Sequence, residues 1–442
     1  MFSHNLIDKS FSSEYYRLQK NQWEPRGELI RQQEKNLRAI IKYSYENVPY
    51  YSKLFKKLDL KVNDISRIED LNKIPILTKD IIKKNWEDFK PVNLERLKYS
   101  ERSTGGSTGT PFRYRLSNND RYLSGALLYR GWSYAGYQPG DKMVFFGGSS
   151  INGQDTTSLK SKVLEGVRNI KKFSAFDMKE NDLKNYHTKI RKFRPKYIYG
   201  YPSALFEFAN WLEIHDLPVR NDLISIFTTS EKIYPHMRNK IEEVFDCKIC
   251  DCYGLNDGGV SAFECTEHTG LHLDTERSII ELADDCESSI ENGEGRIITT
   301  SLKNFAMPFI RYDTGDLGSV TDEECNCGRQ YRSLKELIGR SVDILIAPDG
   351  KKVHGWFFLY IFWEVFKGIQ EYQVVQNSVN TITINIVPEQ EFKDNNLEII
   401  RSIIEGKCPY WDVEFNIVDN IPKSGSGKYK FIINKVNGGN EN

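Results

Sequence analysis

The chain has 442 residues, with 61 Lys and Arg against 61 Asp and Glu, and 39% of its residues are hydrophobic. Roughly 150 residues per domain gives an expectation of two or three domains, and zero net charge excludes the global basic field that holds nucleic acid, so any anion has to be bound locally. Mean hydropathy is -0.54, and the longest apolar stretch, Trp356 to Trp363, falls far short of the roughly 20 residues that span a membrane.

The first residues, MFSHNLIDKSFSSEYYRLQK, lack the basic start, apolar middle and small-residue cleavage site of a secretory signal, so a cytoplasmic address is the default expectation. Eight cysteines in such a chain read as thiols or metal ligands rather than a disulfide framework. From Arg26 to about Tyr45 apolar residues recur at helical spacing, and Pro49 in NVPYYSKLF interrupts the helix. The apolar runs MVFFGG, KYIYGYP, LISIFTTS and KICDCYG then end in Gly, Ser or Pro, with the helical patterns LFEFANWLEIH and MRNKIEEVF among them. This rhythm predicts an α/β domain.

After Gly339-Arg340 the pattern changes. It predicts a helix from about Phe357 to Lys367, strands EYQVVQ and TITINIV turned at Asn377 to Asn380, a helix near Leu397 to Glu405, and a strand near Val413 to Val418. The expected organisation is a large N-terminal α/β domain, residues 1–339, and a small C-terminal α+β domain, residues 340–442.

Within STGGSTGTP, Ser103 to Pro111, glycines permit unusual backbone angles, and N–H groups and hydroxyls can be aimed at phosphate oxygens. A flexible surface turn has the same composition. The segment is no Walker motif, because no Gly-Lys-Ser/Thr follows at the required spacing. Tyr253-Gly254-Leu255-Asn256-Asp257 follows a predicted strand, which puts an aromatic ring and a carboxylate where open α/β sheets bind ligands. Asp316 closes Arg311-Tyr312-Asp313-Thr314-Gly315-Asp316, and a carboxylate there can accept from two ribose hydroxyls. Gly339-Arg340-Ser341-Val342-Asp343 marks the domain junction, and Lys428 lies in the PKSGSGKYK loop, a flexible carrier for an ammonium group.

In this order the segments resemble the adenylate-forming superfamily, which includes acyl-CoA synthetases, peptide-synthetase adenylation domains and luciferases. The chain looks most like its phenylacetate CoA ligase branch, and especially the CapK-like relatives associated with capsular polysaccharide biosynthesis. The resemblance runs from about Asn47 to Lys428 and rests on TGGSTGTP combined with RYDTGD and the terminal GK lysine. It implies an ATP-dependent ligase that activates a carboxylic acid as its acyl-adenylate. The acyl group would pass to CoA or to an amine, the second making an amide synthetase acting on uronic acids and amino compounds. A different class, a nucleotide-binding protein without catalysis, is the further alternative.

The same resemblance implies residue roles. Thr104, Gly105, Gly106, Ser107, Thr108, Gly109 and Thr110 would hold the triphosphate, and Ser230, Glu231 and Lys232 would line the adenine pocket together with Tyr253 and Gly254. Asp257 would ligate Mg²⁺, Asp316 would hold the ribose, Arg340 would assist near the hinge, and Lys428 would neutralise charge on the α-phosphate. Three departures stand out: Asp257 where glutamate is usual, Gly258-Gly259 directly after it, where bulkier residues are more common, and the stretch IAPDGKKVHGWFF, which differs from the segment that helps shape the thioester-forming conformation in phenylacetate ligases.

Cys265, His268, His272, Cys325 and Cys327 fall in two clusters, ECTEHTGLH and ECNCGR. Two ligands from each would make a closed, structural zinc site, with His272 favoured over His268; ordinary reduced cysteines in loops are the plain alternative. Cys250 and Cys252 fall on one face of a buried strand and read as core. His187, His215, His236 and His354 are isolated and carry no predicted role, and the 24 Tyr and 24 Phe leave room for a homodimer interface.

Overall fold

A computed structural model describes residues 11–104, 112–148, 159–175, 178–218, 223–284, 287–340, 344–354, 356–359, 361–362, 369–389, 392–393, 395–422 and 431–436. The chain divides into two compact units, Met1–Ile338 and Gly339–Asn442.

The first unit opens with helices Phe11–Asn21, Arg26–Asn47 and Pro49–Lys57. Pro49 at the first turn of the third helix supplies the preset φ that starts it while Val48 ends the second. A short antiparallel pair, β1 (Tyr99–Ser103) and β2 (Arg113–Ser117), follows. The main sheet then begins with β3 (Met143–Gly147), β4 (Ile170–Ser174), β5 (Tyr197–Gly200), β6 (Ser225–Thr229) and β7 (Lys248–Leu255). These five are parallel neighbours in the order β4-β3-β5-β6-β7. Helices Pro202–Ile214 and Pro235–Phe245 link β5 to β6 and β6 to β7, the repeating crossover of a parallel sheet.

Beyond β7 the chain reverses. β8 (Val260–Glu264), β9 (Leu271–Leu273), β10 (Ser278–Ala283), β11 (Ser289–Ile290), β12 (Gly293–Ser301), β13 (Tyr312–Thr321) and β14 (Ser333–Arg340) extend the same sheet to twelve strands. The β7–β8 pairing is antiparallel, with Leu255 opposite Val260, so Asn256 to Gly259 form a hairpin loop where parallel order ends.

Both faces of the parallel half are covered. Helix Asn118–Ser133 presents Trp132, which is 1% exposed, and its ring lies 5.0 Å from Tyr199 and 6.0 Å from Phe227. Cys250 and Cys252 belong to this same core, in agreement with the reading of KICDCYG as a buried strand. Gly131 permits the close approach, since a Cβ there would lie 2.2 Å from the Phe263 ring. Phe146 packs on Phe208 on the opposite face, and Phe208 on Phe245.

Arg130 and Arg277 are fully buried beneath the sheet. Arg130 pairs with Asp274 and Glu276 and donates to the Tyr331 hydroxyl at 2.7 Å. Arg277 pairs with Asp120 at 2.8 Å.

The second unit carries β15 (Ile344–Ile346) paired with β16 (Lys352–His354), and a four-stranded sheet. That sheet is built from β17 (Ile369–Gln376), β18 (Thr381–Pro388), β19 (Asp412–Ile417) and β20 (Ile432–Asn434), in the order β19-β18-β17-β20. Gln376 bridges the two pieces by accepting from Ile346 N at 3.0 Å and donating to Ile346 O at 2.7 Å. Helix Asn395–Lys407 buries Ile400 and Ile404. Of the helix expected from about Phe357 to Lys367, Trp356–Leu359 and residues 361–362 are helical, and residues 360 and 363–368 lie outside the described ones. No helix among the described residues is long and apolar enough to cross a membrane.

Candidate functional site

Two sequence segments meet at the end of the parallel strands. Tyr253, near the end of β7, donates its hydroxyl to Asp316 Oδ2 at 2.8 Å, and Tyr312, the first residue of β13, donates to Asp257 Oδ2 at 2.8 Å. The exchange is reciprocal: each segment contributes one phenol and receives one to a carboxylate. Alternation along β13 explains half of it, because Tyr312, Thr314 and Asp316 occupy alternate positions and share its buried face. Burial and the neighbouring carboxylates raise both phenols above their ordinary range, so each stays a donor.

This stretch of β13 lies where its pairing with β12 shifts register, and it is braced from within. Gly315 adopts φ +80°, which glycine alone accepts without strain. Gly315 N donates to Asp313 Oδ1 at 2.8 Å, and Asp316 N to Thr314 Oγ1 at 3.1 Å.

The hairpin loop holding Asp257 fits its surroundings closely. A Cβ at Gly258 would lie 2.7 Å from Thr299 Cγ2 and 3.4 Å from Tyr312 Cδ1, and Gly259 has φ +72°. The two glycines that depart from the expected pattern thus fill a place with no room for larger residues. Asn256 is held by Arg277, whose Nη2 donates to Asn256 Oδ1 at 3.2 Å. Asp257 is 5% exposed, and its Oδ1 has no protein partner among the described residues. A hard cation takes carboxylate oxygen of this kind, so the donor chemistry fits magnesium.

Around this centre, Thr104 ties the root of the glycine-rich loop: its N donates to Phe112 O at 2.9 Å, and its Oγ1 accepts from Phe112 N at 3.3 Å. Gly105, Gly106, Ser107, Thr108, Gly109 and Thr110 lie outside the described residues, as do Ser341 to Asp343 and Lys428. Ser230 follows β6 with φ +69°. Glu231 Oε2 accepts from Ser203 N at 3.1 Å, and Lys232 Nζ donates to Ile338 O at 3.0 Å. Tyr253 packs with Val260, Ala262, Leu271 and Leu273, next to Gly254, so its hydroxyl is the part that engages Asp316. Arg340 ends β14. Below the site, burial pushes Asp251 up to about 6, opposed by the Thr228 hydroxyl that donates to it at 2.6 Å.

Cys265, His272, Cys325 and Cys327 come together, with all four ligand atoms within 4.8 Å of one another. Zinc–sulfur bonds of about 2.3 Å in a tetrahedron put neighbouring ligands about 3.7 Å apart. Cys265 Sγ and Cys325 Sγ are 3.7 Å apart, and Cys327 Sγ and His272 Nε2 are 3.3 Å apart. Burial, with Arg329 and Arg130, lowers His272 to about 4, which keeps it neutral as a metal ligand requires. Its buried Nδ1 has no partner among the described residues. His268 is elsewhere, with Nδ1 at 3.2 Å from Glu264 Oε1. The donor set fits a closed zinc site joining Cys265 of the β8–β9 connection and His272 of β9 to the β13–β14 connection, which carries Cys325 and Cys327.

Sequence reasoning assigned no role to Tyr312, Arg277 or Asp120. Tyr312 carried a signal, its place inside RYDTGD. Arg277 and Asp120 carried none, since their pairing joins residues 157 positions apart.

Comparison with known proteins gives a consistent picture. Residues 345–435 match the family model of the CapK C-terminal domain. Protein CapK of Staphylococcus aureus is 26% identical over 417 residues, covering 93% of this chain and 90% of that protein. The phenylacetate-coenzyme A ligase of Thermus thermophilus is 26% identical over 376 residues, covering 81% and 80%. In fold, the chain is similar to 2-hydroxyisobutyryl-CoA ligase in its postadenylation state, with TM-score 0.73, 17% identity, and 93% and 90% coverage. Over most of its length the chain is thus similar to CapK and to phenylacetate-coenzyme A ligases, it carries a match to the CapK C-terminal domain, and it has the fold of 2-hydroxyisobutyryl-CoA ligase.

Proposed function

We propose that this protein is an AMP-forming ligase that activates a carboxylic acid with ATP and passes the acyl group to CoA. The observation that carries the reading is the reciprocal clamp of Tyr253 on Asp316 and Tyr312 on Asp257, two carboxylates held at the end of a parallel sheet, where open α/β sheets bind ligands. Homology to phenylacetate-coenzyme A ligases across most of the chain supports the reaction class.

In the first step a substrate carboxylate oxygen attacks the α-phosphorus of ATP, forming the acyl-adenylate and releasing pyrophosphate. Thr104 to Thr110 bind the phosphates; Ser230 to Lys232, Tyr253 and Gly254 line the base site, and Asp316 accepts from the ribose hydroxyls. Asp257 would hold magnesium, which supplies positive charge to the phosphate oxygens. Arg340 and Lys428 belong to the C-terminal unit, and Lys428 would neutralise the charge that develops on the α-phosphate. Catalysis of this kind is chiefly positioning and charge neutralisation. In the second step the acceptor sulfur attacks the acyl carbon, the acyl–phosphate bond breaks and AMP leaves.

An amine acceptor, giving an amide, is the second reading. It is supported by a likeness in fold to the amide bond synthetase McbA of Marinactinospora thermotolerans, with TM-score 0.52, 15% identity, and 74% and 66% coverage. ATP–pyrophosphate exchange across aryl acids, hydroxy acids and uronic acids tests adenylation, and adding CoA or amines separates the acceptors. Exchange with one acid class establishes the activity. ATP binding without exchange for any acid would favour a nucleotide-binding protein instead.

The Cys265, His272, Cys325 and Cys327 cluster is read as a structural zinc site. Cys325→Ser is expected to lower zinc content below one per chain and to reduce the denaturation midpoint, because structural zinc contributes to folding directly. Equal metal content and stability in the variant would remove the site.

A further inference from the structure

The reading of Asp257 as a magnesium ligand leaves open how so short a side chain is presented to the ion. Asp257 lies in a four-residue hairpin loop that is fixed on both flanks. On one side Arg277 donates to Asn256, and Asp120 anchors Arg277. On the other, Thr299 Oγ1 donates to Gly258 O at 2.9 Å. Between them the carboxylate has one protein contact among the described residues, the Tyr312 hydroxyl on Oδ2.

Tyr312 itself has little freedom. It is fully buried, its ring stacks on Phe309 at 4.8 Å, and it lies parallel to Phe112 at 6.2 Å. Gly258 leaves the space that its ring edge fills. Phe112 directly follows the glycine-rich loop and is bonded to Thr104 across its root. A continuous line of contacts therefore runs from the base of that loop through Phe112 and Tyr312 to Asp257.

We propose that Tyr312 is a positioning residue for magnesium: by holding Oδ2 it orients the Asp257 carboxylate so that Oδ1 faces the cation. The proposal rests on the assignment of Asp257 above. Groups that orient a metal ligand typically change metal affinity 10–100-fold when removed. They leave metal-independent contacts of the nucleotide in place.

The test is calorimetric titration of the full-length chain with ATP at a series of Mg²⁺ concentrations and in EDTA, which requires no knowledge of the acid. For Tyr312→Phe the half-saturating Mg²⁺ should rise about 10-fold or more, with ATP affinity in EDTA changed less than about twofold. Asp257→Asn, run in parallel, should show at least the same loss. Adding Asp257→Glu to Tyr312→Phe should recover most of the Mg²⁺ response, since a longer side chain reaches the ion without the clamp. An unchanged response in Tyr312→Phe beside a weakened Asp257→Asn would overturn the role of Tyr312 alone. No recovery in the double variant would overturn it as well. An unchanged Asp257→Asn would overturn the magnesium assignment, and this inference with it.

Discussion

Arg130→Met is expected to lower the free energy of unfolding by about 3–5 kcal/mol, the usual cost of removing one partner from a buried charge cluster. Arg130 has no exposed surface. Its guanidinium pairs with Asp274 and with Glu276 at 2.8 Å, and Asn21 and Tyr331 also donate to Glu276 Oε1 at 2.8 and 3.1 Å, while the buried Oε2 has no partner among the described residues. Burial pushes Asp274 up to about 7, Arg130 opposing it, whereas at Glu276 the attraction of Arg130 and its hydrogen bonds outweigh burial and the carboxyl is lowered. Methionine fills similar volume but leaves both carboxylates buried without a cation. The shift in urea midpoint checks this, and a loss below about 1 kcal/mol would show that the cluster is relieved by water or by protonation. Asn21, Arg130, Asp274, Glu276 and Tyr331 come from distant parts of the chain, so the loss should also appear in how the N-terminal helices stay attached, readable as hydrogen exchange in residues 11–47.

Lys428→Ala is expected to reduce ATP–pyrophosphate exchange about 10²–10³-fold, the scale for removing one charge-stabilising group from a transition state. Affinity for ATP should stay within a few-fold, because the lysine is assigned to charge that develops on the α-phosphate during the reaction. Lys428→Arg should recover part of the rate. Equal losses in ATP affinity and exchange would make Lys428 a ground-state nucleotide contact, and unchanged exchange would end its assigned role.

Four of the five parallel strands were legible because each is a short apolar run closed by Gly, Ser or Pro, with helical patterns of 3.6-residue period among them, whereas β4, IKKFS with two lysines, gave no such signal. In the C-terminal unit β17, β18 and β19 were legible for the same reason, β17 and β18 flanking a polar turn at Asn377 to Asn380, whereas the three-residue strands β15, β16 and β20 were too short to show a pattern. The single twelve-stranded sheet was not legible, since strand order from β8 to β14 depends on pairings between segments far apart in sequence. Arg130 was hidden too. It lies in a helix whose apolar periodicity is weak, and a lone arginine there reads as solvated until Asp274 and Glu276 are placed beside it. At the site, TGGSTGTP, YGLND and RYDTGD gave the residue types, whereas the crossed pairing of their phenols and carboxylates needed the fold.

The tightness of the β7–β8 hairpin also constrains how this protein can change over generations. A methyl group at position 258 meets Thr299 Cγ2 at 2.7 Å, so alanine there is admitted only after position 299 has lost that carbon, as in a serine that keeps the hydroxyl bonded to Gly258 O. Taken in that order both steps are passable; in the reverse order the first is closed. A larger residue beside this carboxylate is therefore expected to be accompanied by a smaller one at position 299.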